Sequence, residues 1–156
     1  MFNGAYVFNA DLSKWNTAAV TTMEKTFYDA FAFDQDISNW NTAAVTNIEY
    51  MFSDAFAFNA DLSKWNTAAV TNMYYTFNGA SVFNADLSKW NTAAVENMEG
   101  IFYYSGFKRT LCGGAWLSLK DSGNGAFQDL GSSTAEYGCC DAGTYMATQL
   151  HPFDKD

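Results

Sequence analysis

Four aspartates, Asp11, Asp36, Asp61 and Asp86, recur at intervals of 25 residues. If the intervening segments form stacked coils, these carboxylates lie about 5 Å apart, near the spacing of adjacent strands. Such a ladder could hold Ca²⁺ or act as a paired acid and base. It could instead accept hydrogen bonds from backbone or from Ser13-type hydroxyls in a turn repeated in every coil. The second reading is preferred. Calcium usually takes six to eight oxygens, and the unit lacks the glycine-rich loop of calcium-binding β-helices. A second periodic array pairs Asn16–Thr17, Asn41–Thr42, Asn66–Thr67 and Asn91–Thr92, with Thr21, Thr46 and Thr71 beside it. Evenly spaced threonines on a flat face suit an ice-binding surface, and the same columns suit internal hydrogen bonding.

Other chemistry is poorly supplied. His151 is the single histidine and adjoins Pro152 near the end of the chain. The three cysteines, Cys112, Cys139 and Cys140, lack the spacing of a tetrahedral zinc site. Neither a phosphate-cradling glycine motif nor a G-x-S-x-G elbow is present. The sequence therefore predicts no catalytic residue, no metal, no cofactor and no enzymatic activity.

The columns are set by the repeat that carries them. Four 25-residue units without insertion or deletion begin at Met1, Thr26, Met51 and Thr76. Their skeleton reads F-x-x-A-x-x-F-x-x-D-[LI]-S-x-W-N-T-A-A-V-x-x-[MI]. Units of this period bury their apolar faces by stacking on one another. Steps of three and four from Val70 through Met73, Phe77 and Ala80 to Phe83 predict a short helix over roughly Thr71 to Gly79. The glycine or aspartate at Gly4, Asp29, Asp54 and Gly79 reads as its C-terminal stop. Asp61 to Thr67 reads as extended, with a bend near Trp65. The fold class predicted is α/β, a right-handed leucine-rich-repeat-like solenoid of strand–helix coils. Residues 1–107 hold four coils and the start of a degenerate fifth. Residues 108–156 form a loop-rich C-terminal cap. Trp15, Trp40, Trp65 and Trp90 are expected to be buried between coils.

Composition narrows the partners. The net charge of −9 and only eight basic residues argue against nucleic acid. No apolar run approaches the roughly 18 residues of a membrane-spanning helix. The first residues, Met1-Phe2-Asn3-Gly4, lack the basic and apolar regions of a signal peptide. The chain starts in phase with the repeat, which suggests a fragment or processed chain whose uncapped first coil docks on a neighbour. A bridge from Cys112 to Cys139 or Cys140 would close a loop of roughly 28 residues, worth about 3–4 kcal/mol. Three reduced thiols are the alternative.

The run F-N-x-D-L-S-x-W-N-T-x-x-V-T-x-M, followed by M-F-x-x-A, closely resembles the BspA-type leucine-rich-repeat-like family, also called DUF285, over residues 1–107. That resemblance implies a non-enzymatic adhesion or interaction module at the cell surface or outside the cell. Tyr137 to Tyr145 loosely resembles the opening of ephrin-receptor-like cysteine-rich modules, which implies the same setting.

The variable slots carry the recognition reading. Tyr6, Phe31 and Phe56 occupy one slot and Tyr50 and Tyr75 another, with Tyr74 adjacent. Aromatics outside the invariant skeleton suit an amphipathic strip for a protein or glycan partner, or else lateral packing between coils. Ice binding through the Thr and Asn columns, and a structural subunit of a larger assembly, are the other functions considered.

Overall fold

The computed structural model describes residues 1–109 together with Leu111 and Trp116. Successive 25-residue units, here coils 1 to 4 (1–25, 26–50, 51–75 and 76–100), lie one upon another. The start of a fifth unit follows them. Backbone hydrogen bonds join adjacent coils in register. The N–H groups of Met23, Lys25, Phe27 and Asp29 donate to the carbonyls of Asn47, Glu49, Met51 and Ser53, at 2.8 to 2.9 Å. The same alternation recurs from coil 2 to coil 3 and from coil 3 to coil 4.

The expected α/β class of leucine-rich-repeat-like strand–helix coils is overturned. Among the described residues only Trp116 is helical, and the 71–79 segment is a run of turns. No strand forms over 61–67 either. Parallel pairing takes the form of isolated bridges, Thr22–Asn47, Asn47–Asn72 and Asn72–Asn97. The physical reason lies in where the amide protons go. Thr76 N–H closes on Met73 and Ala80 N–H on Phe77, each three residues back, while Met73, Tyr75, Phe77 and Gly79 donate to the next coil. A helix would need those same protons for its own carbonyls.

The third residue of each of these turns has positive φ. One series is Lys25, Tyr50, Tyr75 and Gly100, and the other is Gly4, Asp29, Asp54, Gly79 and Tyr104. Positive φ at that position marks a type II turn and ends any helix. Consecutive turns advance the inward side chain by about three residues, so their apolar spacing imitates a helix. Asp61 to Thr67 belongs to two further turns, closed by Trp65 N–H on Leu62 and Val70 N–H on Thr67.

The core is a set of aromatic columns running through the coils. Phe2, Phe27, Phe52, Phe77 and Phe102 stack with centroids 5.5 to 5.8 Å apart. A parallel column joins Phe8, Phe33, Phe58, Phe83 and Phe107 at 5.9 to 6.1 Å. Within a coil the two columns touch, as at Phe52–Phe58, 3.9 Å apart. Trp40, Trp65 and Trp90 are buried, and Trp15 is 44% exposed. The indoles stack 6.3 to 6.5 Å apart. Each buried one also donates Nε1–H to a carbonyl one coil back: Trp40 to Leu12, Trp65 to Ile37 and Trp90 to Leu62.

The fifth unit departs from the period. Phe107 follows Phe102 by five residues where Phe83 follows Phe77 by six. Gly106 lies where the chain cuts this corner, and any Cβ there would collide with the Ser81 carbonyl. Leu111 and Trp116 are buried. The cap proposed for 108–156 and the Cys112, Cys139 and Cys140 pairing otherwise lie outside the described residues.

Candidate functional site

Each aspartate of the Asp11 column caps its own turn. Asp11, Asp36, Asp61 and Asp86 accept the backbone N–H of Ser13, Ser38, Ser63 and Ser88 at 2.8 to 2.9 Å. That hydrogen bond is the main reason all four carboxyls sit below the usual aspartate value. Short side chains that bond the backbone two residues on form Asx turns, which favour this local geometry over a helix. All four are exposed, with side-chain oxygens committed to their own coil. Among the described residues no group of three or more His, Cys, Asp or Glu is placed to hold a metal ion.

The threonine array divides in two. Thr17, Thr42, Thr67 and Thr92 are buried. Thr17, Thr42 and Thr67 donate Oγ–H to the carbonyls of Asn41, Asn66 and Asn91 in the next coil. Asn16, Asn41, Asn66 and Asn91 cap turns at Ala18, Ala43, Ala68 and Ala93. A column hidden in the interior offers nothing to an ice lattice. Thr46 and Thr71 lie nearer the surface, and their hydroxyls donate to the previous coil.

Sequence reasoning missed a third column. Asn9, Asp34, Asn59 and Asn84 each accept, through a side-chain oxygen, the backbone N–H of Asp34, Asn59, Asn84 and Lys108 respectively, at 2.8 to 3.0 Å. The recurrent Asn or Asp after the second Phe of each unit was its signal.

The aromatic slots fall into two columns. Tyr6, Phe31 and Phe56 are 55%, 37% and 42% exposed. Their centroids are 4.8 and 4.7 Å apart. Ser81 continues the line in coil 4, and the neighbouring Val82 is exposed. Because neighbouring rings face one another, Phe31 presents mainly its edge to solvent.

The other column is tyrosine-rich and half-buried. Tyr50 meets Tyr28 edge-on at 5.9 Å, Tyr74 edge-on at 5.3 Å and Tyr75 at 5.5 Å. The Lys25 ammonium stands 5.3 Å from the Tyr50 ring centroid. Burial, then the hydrogen bond with Tyr74, pushes the Tyr50 hydroxyl up to about 12. No ring pair joins the two columns among the described residues. The tyrosines pack laterally between coils, and the slot left open to solvent is Tyr6–Phe31–Phe56.

A family model for a Mycoplasma protein of unknown function, DUF285, matches residues 1–67 and again 54–116. No curated protein and no solved structure matches the chain. Among the described residues no helix is long and apolar enough to cross a membrane.

Proposed function

The chain belongs to the DUF285 family, and for this member we propose non-enzymatic recognition of a protein partner through the Tyr6–Phe31–Phe56 column. The observation behind this reading is three contacting aromatic rings left exposed where, among the described residues, the other repeated aromatics are buried or packed against one another. Exposed contiguous apolar surface is the usual mark of an interaction site. A protein suits it better than a glycan. Sugars stack on ring faces, and here both faces of Phe31 and one face each of Tyr6 and Phe56 meet a neighbouring ring. Ring edges carry the positive end of the aromatic quadrupole, so they attract partner carbonyls, thioethers and aromatic faces. A cell-surface or extracellular setting is part of the proposal, resting on the BspA-type and ephrin-receptor-like resemblances.

The test compares the wild-type chain with a Phe31→Ser/Phe56→Ser variant on a panel of purified extracellular proteins and on a glycan array. The expected result is a protein ligand whose affinity drops at least tenfold in the variant. The unfolding free energy should stay within about 1 kcal/mol, because both side chains are surface sites. Ligands that are exclusively glycans, or protein binding indifferent to the double substitution, reject the reading.

A further inference from the structure

Six carboxylates belong to coils 2 and 3, and four of them are committed. Asp36 and Asp61 cap their own turns, Asp34 accepts the Asn59 N–H, and Glu49 accepts from the Asn72 side-chain amide at 2.8 Å. The other two, Asp29 and Asp54, are half-buried. Among the described residues the Asp29 carboxylate receives no hydrogen bond, and Asp54 receives only Ser53 Oγ–H, at 3.4 Å. No ion pair reaches either of them there. Coil 2 has no basic residue, and Lys64, the single one of coil 3, stands near Asp36 and Asp61.

Both uncommitted aspartates adjoin the open aromatic column. Asp29 precedes Phe31 by two residues and Asp54 precedes Phe56 by two, in a tight turn where the Phe56 N–H donates to the Asp54 carbonyl at 3.0 Å. Glycine holds the same slot beside the other members of the line, Gly4 before Tyr6 and Gly79 before Ser81. Acid and phenylalanine therefore occur together, in coils 2 and 3. The fold gains nothing from the acids. They hold φ values of 57° and 58°, where glycine is unstrained. Burial, then the charge of Asp29, raises the Asp54 carboxyl above its ordinary value. Gly79 leaves the space over which that carboxylate leans, since any Cβ there would collide with Asp54 Oδ1.

We propose that Asp29 and Asp54 receive an arginine side chain of the partner, so that the segment docking on the column is apolar with a basic residue in its midst. This ligand chemistry rests on the reading of Tyr6–Phe31–Phe56 as the binding column. Charge complementarity selects the occupant. Two like charges lie one coil apart with no cation of their own, and a partner's cation converts their repulsion into attraction. A guanidinium carries five donors in a planar fork, so it serves both carboxylates at once, where an ammonium acts as a point charge. The edges of Phe31 and Phe56 are left to the apolar and aromatic neighbours of that arginine.

The experiment presents the 156-residue chain with an array of short apolar peptides in matched sets, each with arginine, glutamine or glutamate at one central position. Wild type should bind the arginine members at least tenfold more tightly than the glutamine members. Asp29→Asn/Asp54→Asn should lose that preference without a lower melting temperature, because asparagine tolerates the left-handed φ. Glu96→Gln/Glu99→Gln removes the same two charges from exposed sites of coil 4 and should keep the preference, which separates a local site from attraction to the net charge of −9. A preference for glutamine or glutamate, an arginine preference that survives Asp29→Asn/Asp54→Asn or is lost equally in the coil 4 variant, or an array without binders would overturn the arginine site. Those outcomes leave the column standing wherever Phe31→Ser/Phe56→Ser still weakens binding to a folded protein. Arginine peptides that bind the Phe31→Ser/Phe56→Ser variant as tightly as wild type would reject the column and the arginine site together.

Discussion

Trp65 Nε1 donates to the Ile37 carbonyl at 3.1 Å, across the boundary between two coils and 28 residues back in the chain. This bond combines the two forces that hold adjacent units in register, a shared aromatic column and a backbone acceptor satisfied away from water. Trp65→Ala removes both and should cost about 3–5 kcal/mol in urea denaturation. Trp65→Phe keeps a ring in the stack but removes the indole bond, leaving the Ile37 carbonyl with the Trp40 N–H alone, and should cost about 0.5–1.5 kcal/mol. Trp15→Ala should cost markedly less than Trp65→Ala, since Trp15 is 44% exposed and its Nε1 has no partner among the described residues. Equal losses at the two positions would contradict the packing described.

The left-handed turn residues give a second test. Lys25 has a φ of 50° at the third position of the turn closed by Thr26 and Met23. A left-handed conformation costs an L-residue roughly 1–2 kcal/mol, and more when the side chain is β-branched. Lys25→Gly should therefore leave stability unchanged or raise it by up to about 1 kcal/mol, while Lys25→Val should lower it. Gly106→Ala tests the other constraint at a turn. The obstacle is the Ser81 backbone carbonyl, which cannot swing aside as a side chain can, so a loss of about 1–3 kcal/mol is expected.

The period, the stacking unit and the aromatic core were legible because identical residues recurred without slippage. Phe27, Phe52 and Phe77 had to meet once the units stacked. The local backbone was not legible. Val70, Met73, Phe77 and Ala80 are spaced alike whether a helix or successive turns carry them, and the distinction rests on where backbone protons go. Only positions such as Tyr50 and Tyr75, which sit at positive φ without being glycine, separate the two, and nothing in their identity announces it. A one-dimensional pattern does not say which side of a turn a slot faces, so it puts Tyr50 and Tyr75 in one strip with Phe31 and Phe56.

The column headed by Asn9 can be tested at its middle. Asn59 Oδ1 accepts the Asn84 N–H at 2.8 Å, and its own N–H donates to Asp34. Asn59→Ala leaves the second bond and removes the first, for an expected cost of about 1 kcal/mol. Asn59→Asp should preserve the acceptor, as Asp34 does in coil 2. Faster amide exchange at Asn84 in Asn59→Ala, but not in Asn59→Asp, is the specific signature.

Acid titration separates two kinds of aspartate. Hydrogen bonds from Ser13, Ser38, Ser63 and Ser88 hold Asp11, Asp36, Asp61 and Asp86 below the ordinary value of 3.8. Their contribution to stability is therefore present above that value and is lost as pH falls through the lower folded values. Asp54 behaves oppositely. Burial, then the charge of Asp29, raises its carboxyl above 3.8, with only Ser53 Oγ at 3.4 Å in partial compensation. Its ionised form costs stability above the folded value, and that cost disappears as pH falls toward 3.8. Asp54→Asn, which suits the positive φ of 58° at this turn, should stabilise the protein at neutral pH and lose that advantage on mild acidification. Asp61→Asn should be destabilising at neutral pH and converge on wild type below 3.8. Urea unfolding from pH 7 down to pH 3 for the two variants reads both signs, and an Asp54→Asn difference that grows as pH falls would contradict the burial of that carboxyl.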